Sequence, residues 1–445
     1  MKRAAVVLSL LLTAPTGLPA ADLSMLYPDD VLIERKERYE PHIRWNFDNL
    51  VIGALTPSER AGLGPVTLAV PLRGEGLYRG NPLAFYARGA TIYVPVMSVK
   101  FFDDLTLAWA YFEVNNLSIE PVTDYLGMLK YRDPAELGGR FPPPLEALGV
   151  APDAWKTDPV VDNVSQEALR SALVWIMAHE LGHIYLRHRG YAGVSAQQAQ
   201  LNEAEADRFA NDIMRRIGAA PTGMAQFFMV MAHFDPNPVD FADIGAWEAY
   251  LASQAHHPVT GSRLVAMADD LMRAPEDFVA GETDQAAGAE RIRFIARNMR
   301  GIGDLLNDPD IQKSIAAKAL ATDLPSLQRW KMPGRSTPAA AGRAFDGNYA
   351  GTYVHHQPGA QSEQLAAEME LSREGAHVKG RFSFGLGVGT IDGIVRGDRL
   401  LYDWVWGTAH GRGRLVVDPA TGDLEGPWGY ADSGDNGGAW RVHRQ

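Results

Sequence analysis

The segment Met177–Gly190, MAHELGHIYLRHRG, constrains the fold of this chain more than any other stretch. It places His179 and His183 four residues apart, with Glu180 between them. Residues four apart lie on one face of an α-helix, so a helix here would present two imidazoles to one ion and a carboxylate beside it. The segment therefore predicts a metal-binding helix.

The surrounding sequence indicates where this helix begins and ends. Apolar residues recur at helical spacing over 169–176, and Asn163 with Gln166 three residues later resembles a capping box. Gly190 is a residue at which such a helix would end. His188 would then lie roughly 500° around the helix from His183, which predicts a surface position for it.

A catalytic zinc ion takes three protein ligands and leaves a fourth position to water, so two histidines are not sufficient. The chain has no cysteine, and the remaining ligand must be His, Asp or Glu. A second helix is predicted from a cap at Ser195 and Gln198 to Gly218. It carries the sequence NEAEADRFA, where carboxylates recur at helical spacing.

Glu203 and Asp207 lie one turn apart on this second helix. Glu203 is predicted as the third metal ligand, and Asp207 would accept a hydrogen bond from a ligating imidazole. Glu205 falls on another face and is expected in solvent. One zinc ion per chain would lower the pKa of a bound water to about 7, so that Glu180 could act as general base and pass the proton to the leaving amine.

The pattern HELGH followed by ExEAD resembles the M48 family of zinc metallopeptidases, within the gluzincin group. The segment NPLAFYARGATIYVPVMSV resembles the strand that precedes the active-site helix in that family, and HHPVTGSRLVAM resembles its H-P-x(4)-R element. The resemblance covers Asn81–Met272. It implies zinc on His179, His183 and Glu203, with Glu180 as base and Asp207 in support.

The resemblance also implies that His257 approaches the zinc ion and that Arg263 lies near the cleft. A structural interpretation stays open for both residues: Pro258 would begin a helix, His257 would be exposed at its entrance, and Arg263 would pair with a carboxylate.

The N-terminal sequence has the layout of a secretory signal peptide. Lys2 and Arg3 precede an apolar run that ends near Leu18, and a small-residue site follows at Ala20. No later stretch approaches the ~20 apolar residues that a membrane helix needs. We therefore expect a mature chain without a transmembrane segment, periplasmic or secreted, cleaved near Ala20, with peripheral association with the cell envelope.

Charge and composition exclude several classes of protein. With 42 basic and 54 acidic residues the formal net charge is -12, which argues against a nucleic-acid partner. The absence of cysteine excludes disulfides, cysteine-ligated zinc and an N-terminal lipid anchor on cysteine. The expected partners are protein or peptide substrates.

A change in composition divides the chain. Residues 345–445 hold 19 of the 44 glycines and 4 of the 10 tryptophans, in short alternating segments separated by turn residues. An α+β protein is predicted, with a signal peptide at 1–20, a mainly helical gluzincin-type domain with a small sheet at 21–330, a linker at 331–344 and an antiparallel β domain at 345–445. The last is either a meander barrel or a sandwich.

Two short predictions inside these domains can be compared with structure. A strand is expected at Thr91–Val96, with a helix from about Asp103. Aromatic side chains alternate along a strand at Tyr402, Trp404 and Trp406, which fits either the filling of a small barrel or an exposed binding face.

The function predicted from these features is that of an exported zinc-dependent endopeptidase, and the resemblance implies a role in quality control of envelope proteins. One alternative is a periplasmic chaperone or assembly factor with a silenced or structural zinc site. Another is a zinc hydrolase acting on amides or cell-wall peptides. The presence of Glu180 favours catalysis, because a structural site needs no base beside the water.

Overall fold

The computed structural model describes residues 23–445 except for 76–80, 116, 138, 191–193, 237–239, 254–259, 280–284, 329, 331–344, 356–362, 385–386, 397, 408, 419–420, 431–432 and 435–436. The predicted signal peptide, the predicted linker and His257 all lie outside the described residues.

The chain divides into two compact units. One takes in the chain up to Tyr111 together with Ile119–Gln328, and the other takes in Phe112–Ser118 and Arg329–Gln445. The helices are α1 (Asp29–Asn46), α2 (Pro57–Gly62), α3 (Val96–Val114), α4 (Glu120–Tyr131), α5 (Pro144–Leu148), α6 (Ala154–Thr157), α7 (Pro159–Tyr185), α8 (Ala196–Ile217), α9 (Gly223–Phe234), α10 (Ile244–Ser253), α11 (Thr260–Arg273), α12 (Gln285–Asn307), α13 (Pro309–Ala321) and α14 (Leu324–Leu327).

A three-stranded sheet accompanies the helices of the first unit. Its strands are β1 (Thr67–Ala69), β2 (Tyr86–Arg88) and β3 (Thr91–Tyr93), in the order β1-β3-β2. Strand β1 runs parallel to β3, and β2 runs antiparallel to it. The strand predicted at Thr91 ends at Tyr93, and the helix after it begins at Val96 rather than near Asp103. The carbonyl of Pro95 accepts the first helical hydrogen bond, from Val99.

Helix α7 is longer at its start than the sequence pattern predicted. The side chain of Asp158 caps it, accepting from the backbone N–H groups of Val160 and Val161, and Pro159 occupies its first turn. The predicted cap at Asn163 is therefore wrong. The helix is almost fully buried from Ala172 to His179, and it forms the centre of the helical unit.

Helix α7 also ends earlier than predicted, at Tyr185 rather than near Gly190. Arg187 adopts a left-handed conformation with φ of 57°. The N–H of His188 donates to the carbonyl of His183 (3.0 Å), and the N–H of Arg187 donates to that of Ile184 (3.2 Å). These two bonds form a Schellman motif, which reverses the chain at this point.

Helix α8 follows the sequence prediction closely. Ser195 accepts a hydrogen bond from the N–H of Gln198, and the helix ends at Gly218, whose φ is 67°. Helices α7 and α8 approach most closely at Gly182. A Cβ atom there would lie 3.2 Å from Cβ of Phe209 and 3.3 Å from Cα of Ala206. The absence of a side chain at Gly182 thus lets α8 lie directly against the histidines of α7.

The second unit contains an eight-stranded closed barrel in the described part of the chain. Successive strands pair antiparallel around the barrel, and β11 closes it against β4, with Trp440 opposite Tyr353. This confirms the antiparallel β domain and selects the barrel over the sandwich. The strands are β4 (Gly347–His355), β5 (Glu363–Glu374), β6 (His377–Phe384), β7 (Gly387–Arg396), β8 (Arg399–Trp406), β9 (Ala409–Val417), β10 (Leu424–Tyr430) and β11 (Gly438–Arg444).

Aromatic side chains fill much of the barrel interior. Tyr402 and Trp404 are buried, whereas Trp406 is 40% exposed. Aromatic rings line a narrow recess in the barrel, and the indole N–H of Trp404, one of these rings, donates to the carbonyl of Gly429 (3.0 Å). The alternation on β8 therefore serves mainly to fill the barrel, as small barrels require.

Among the described residues, no helix combines the length and the apolar character that crossing a membrane would require.

Candidate metal centre

Helices α7 and α8 bring three of the predicted site residues together. Nε2 of His179 lies 3.1 Å from Nε2 of His183. Carboxylate oxygens of Glu203 lie 3.5 Å from Nε2 of His179 and 3.4 Å from Nε2 of His183. These residues are the one group in the described part of the chain whose donor atoms converge as metal ligands do.

The three donor atoms fit the ligand shell of a tetrahedral metal ion. Donors held about 2.1 Å from a tetrahedral zinc ion lie about 3.4 Å from one another. The two imidazole nitrogens lie 3.1 Å apart, and Glu203 approaches them with different oxygens, Oε2 at 3.5 Å from His179 and Oε1 at 3.4 Å from His183, so all three contacts are close to that value. Two neutral imidazoles and one carboxylate are also a donor set that zinc accepts in hydrolases.

Asp207 and Arg263 lie directly behind this donor set. Oδ1 of Asp207 is 2.8 Å from Nδ1 of His179. The guanidinium of Arg263 contacts both carboxylate oxygens of Asp207, at 2.9 and 2.6 Å, and its Nη1 lies 3.5 Å from Glu203. Arg263 also lies over the ring of Phe228, 5.0 Å from its centroid. Asp207 is thus fixed from one side and orients His179 on the other.

The pKa values of these groups reflect an excess of buried negative charge. Burial alone would lower the pKa of His179, but its contacts with Asp207 and Glu203 raise it to about 10. Burial and the neighbouring His179 lower the pKa of His183 to about 3. Burial would raise the pKa of Asp207, yet Arg263 and His179 hold it below the ordinary value. The field that favours a proton on His179 also favours a metal cation.

The ring of His179 is held in place by a second set of contacts. Trp175, one turn earlier on α7, stacks on it with centroids 5.2 Å apart and planes at 19°. The indole N–H of Trp175 donates to Asn211 of α8 (2.7 Å), whose amide in turn donates to Asp270 of α11 (3.0 Å). Three helices therefore fix the orientation of this imidazole.

Glu180 lies beside the donor set on α7, between the two histidines in sequence, and its side chain is partly exposed. Arg263 both lies at the site and pairs with a carboxylate, so the two interpretations of this residue coincide. His257 lies outside the described residues, so both interpretations of it, near the zinc ion or exposed at a helix start, stay open.

Sequence reasoning missed one residue that contacts the site, His188, and the contact of His188 with Glu205, whose side chain is 48% exposed as expected. Nδ1 of His188 lies 3.0 Å from Nδ1 of His183, and its Nε2 lies 3.1 Å from a carboxylate oxygen of Glu205. The side chain of His188 is only 7% exposed, so the prediction of a surface histidine is wrong. Counting turns placed it elsewhere because α7 was expected to continue past Tyr185. The unusual density of histidines in the segment was the available signal.

Part of the chain matches the model of a peptidase family, which is not the predicted family. The model of the family Peptidase U49 matches residues 150–281, less than half of the chain. No curated protein and no solved structure matches the chain significantly. The match includes every residue of the candidate centre and supports a peptidase, and therefore hydrolase, function with protein substrates.

The prediction that the chain resembles the M48 family is wrong, because the matching model describes a different peptidase family. The physical reason is that a short motif such as H-E-x-x-H is set by the geometry of metal binding on a helix. Such a motif recurs in families of different descent. The family properties inferred from that resemblance lose their basis, whereas the site geometry does not depend on it.

Proposed function

We propose that this protein is an exported zinc-dependent endopeptidase, with one zinc ion held by His179, His183 and Glu203. The observation that carries the proposal is the convergence of His179, His183 and Glu203 from α7 and α8, with one ligand atom of each within 4.8 Å of the others. The peptidase family match over the same residues supports it. The role in envelope quality control rested on the M48 resemblance and is not part of the proposal.

A bound zinc ion would supply a Lewis acid that acidifies water and polarises a peptide carbonyl. Glu180 is the general base in this proposal, because it follows a ligand directly and its side chain reaches solvent. It takes the proton from the attacking water and later gives it to the leaving amine.

The remaining residues hold the ligands in position. Oδ1 of Asp207 lies 2.8 Å from Nδ1 of His179, so its charge would favour a proton on Nδ1 and leave Nε2 of that ring free to bind an ion. Arg263 neutralises Asp207, and its bidentate contact holds the carboxylate beside His179. Neither residue needs to touch the substrate to act in this way.

The test pairs metal content with proteolysis in one set of variants. Wild type, Glu180→Gln and Glu167→Gln are purified, their zinc content is measured, and each is incubated with unfolded casein. Glu167 lies on the exposed face of the same helix and makes the matched control. We expect one zinc per chain in all three, and a loss of cleavage of about 10²–10⁴-fold in Glu180→Gln alone.

Other results would point to the alternative functions. Zinc in all three variants without cleavage in any would favour a chaperone or assembly factor with a structural site. Zinc with amide hydrolysis but no proteolysis would favour the non-protease hydrolase. An absence of zinc from wild type would contradict the proposal itself.

Export is a separate part of the proposal and depends on the N-terminal sequence. Expression of the full chain in a bacterium with an outer membrane, followed by sequencing of the purified protein, should give Ala21 as the first residue. An N-terminus at Met1 in the cytoplasmic fraction would contradict export without affecting the metal centre.

A further inference from the structure

The end of helix α7 folds a third histidine back onto a proposed zinc ligand. In a Schellman motif the residue two positions past the helix commonly packs against the residue whose carbonyl it bonds. Here those residues are His188 and His183, joined by a backbone bond of 3.0 Å. The motif requires Arg187 at φ of 57°, a conformation that costs a non-glycine residue about 1 kcal/mol. The chain thus accepts local strain where His188 is directed inward.

The two rings meet through their nitrogens. Nδ1 of His183 and Nδ1 of His188 lie 3.0 Å apart, with ring centroids at 5.1 Å and planes at 71°. The far nitrogen of His188 lies 3.1 Å from Glu205 of α8. Since the side chain of His188 is 7% exposed, protein atoms rather than water satisfy it.

With both imidazoles neutral, one arrangement of protons satisfies this chain of contacts. Glu205 accepts, so Nε2 of His188 carries the proton that faces it. Nδ1 of His188 must then accept from Nδ1–H of His183. The remaining nitrogen of His183, Nε2, is left with a free lone pair, and this is the atom that faces His179 and Glu203.

We propose that His188 and Glu205 form a positioning relay that fixes the ring orientation and the Nδ1–H tautomer of His183. The relay does for His183 what Asp207 does for His179, so that both imidazoles present Nε2 to the same point. The effect of the relay on zinc binding rests on the proposed function, whereas its effect on the tautomer of His183 does not. Neither His188 nor Glu205 touches the reacting atoms, and both act through His183.

The relay is tested by zinc affinity in variants matched for position and exposure. His188→Phe keeps an aromatic ring without nitrogen, and Glu205→Ala removes the acceptor. Asp212→Ala is the control, because Asp212 lies on α8 with a side chain 50% exposed, against 48% for Glu205. Glu205→Gln keeps an acceptor oxygen and serves as the conservative rescue.

Loss of the relay should weaken zinc binding by about 10–100-fold, as loss of an outer carboxylate partner commonly does. We expect this from His188→Phe and Glu205→Ala, with affinity retained in Asp212→Ala and largely retained in Glu205→Gln. Affinity is measured by competition with a chelator on variants whose metal-free unfolding midpoints have been recorded. Folded Glu205→Ala protein with wild-type zinc affinity would overturn the proposal that the relay strengthens zinc binding.

Nitrogen NMR of the histidines separates this proposal from the proposed function. In metal-free wild type, His183 should carry its proton on Nδ1, and Glu205→Ala should release it to a mixture of tautomers. A proton on Nε2 of His183 in wild type would overturn the relay even if zinc binds. Wild type that binds no zinc but shows the Nδ1–H tautomer would overturn the proposed function and leave the relay standing.

Discussion

At the scale of single residues, the charge balance of the centre depends on Arg263. Its guanidinium is 13% exposed and holds two carboxylates, Asp207 with two contacts and Glu203 with one. Both carboxylates are more buried than ordinary surface acids, so their negative charge is not screened by water. Arg263 therefore contributes to folding as well as to the geometry of the ligands.

Replacing Arg263 by leucine should lower the free energy of unfolding by about 3–5 kcal/mol, because two buried carboxylates lose their guanidinium partner. Arg300 is the matched control, since it pairs with Asp269 but both side chains are nearly half exposed. Arg300→Leu should cost less than about 1 kcal/mol. The measurement is urea unfolding of the metal-free proteins, and equal losses in the two variants would contradict the prediction.

The buried side chain of His233 should make the stability of the folded protein depend on pH. Burial lowers its pKa to about 4, and the ring contacts the carbonyl of Met229 at 2.7 Å. The unfolded chain takes up a proton on this histidine near pH 6.5, whereas the folded chain does not. The contribution of neutral His233 to the stability of the fold is therefore fully present above pH 6.5. It is lost as the pH falls toward 4, by about 3 kcal/mol at most.

His233→Leu should reduce the steepness with which unfolding free energy falls between pH 6.5 and 4. The test is chemical unfolding of wild type and variant at several pH values in this window. The same slope in both proteins would show that His233 is not the group responsible.

At the scale of elements, the contact of α7 with α8 at Gly182 determines whether the ligands meet. Helix α7 supplies His179 and His183, and α8 supplies Glu203. A Cβ atom at position 182 would be 3.2–3.3 Å from α8, closer than nearly all such contacts, so α8 would have to shift. A glycine inside a helix is intrinsically unfavourable, and here the close approach of the helices explains it.

Gly182→Ala should therefore be compared with Gly301→Ala, an exposed glycine in α12 whose Cβ would meet nothing within 4 Å. Both variants gain helix propensity, and only the first introduces overpacking, so it should be the less stable by about 1–3 kcal/mol. Zinc affinity should fall only in Gly182→Ala. Unchanged affinity there would show that α8 can move without disturbing the site.

Helix boundaries show which elements the sequence could predict. Helix α8 was predicted at both ends, because Ser195 and Gly218 act through contacts within a few residues. The prediction for helix α7 was wrong at both ends. Asp158 and Asn163 are both plausible N-caps in the sequence, and the structure uses Asp158. The helix ends at a left-handed Arg187, a conformation that no sequence rule predicts for arginine. The position of His188 could not be predicted because it depends on that ending.

At the scale of the whole molecule, the change in composition predicted an antiparallel β domain but could not define its closure. Alternating strands suit a barrel and a sandwich equally. The difference lies in the pairing of β11 with β4, which joins residues about 90 positions apart in sequence. Conversely, all four ligand and support residues on the two helices were predictable, because helical spacing places His179 beside His183 on one helix and Glu203 beside Asp207 on the other.

Metal removal should affect the two compact units differently. A ligand that binds only the folded state stabilises the unit that holds it, and all three donor residues belong to the helical unit. A chelator should therefore accelerate amide hydrogen exchange in α7 and α8 and leave exchange in β4–β11 unchanged. Equal acceleration in both units would contradict a metal site confined to the first.

The most direct measurement is anomalous X-ray scattering at the zinc edge from crystals of the purified protein. One peak per chain is expected, within bonding distance of Nε2 of His179, Nε2 of His183 and a carboxylate oxygen of Glu203. Zinc-supplemented crystals without a peak at this point, or with zinc held by other residues, would contradict the metal centre on which the proposed peptidase depends.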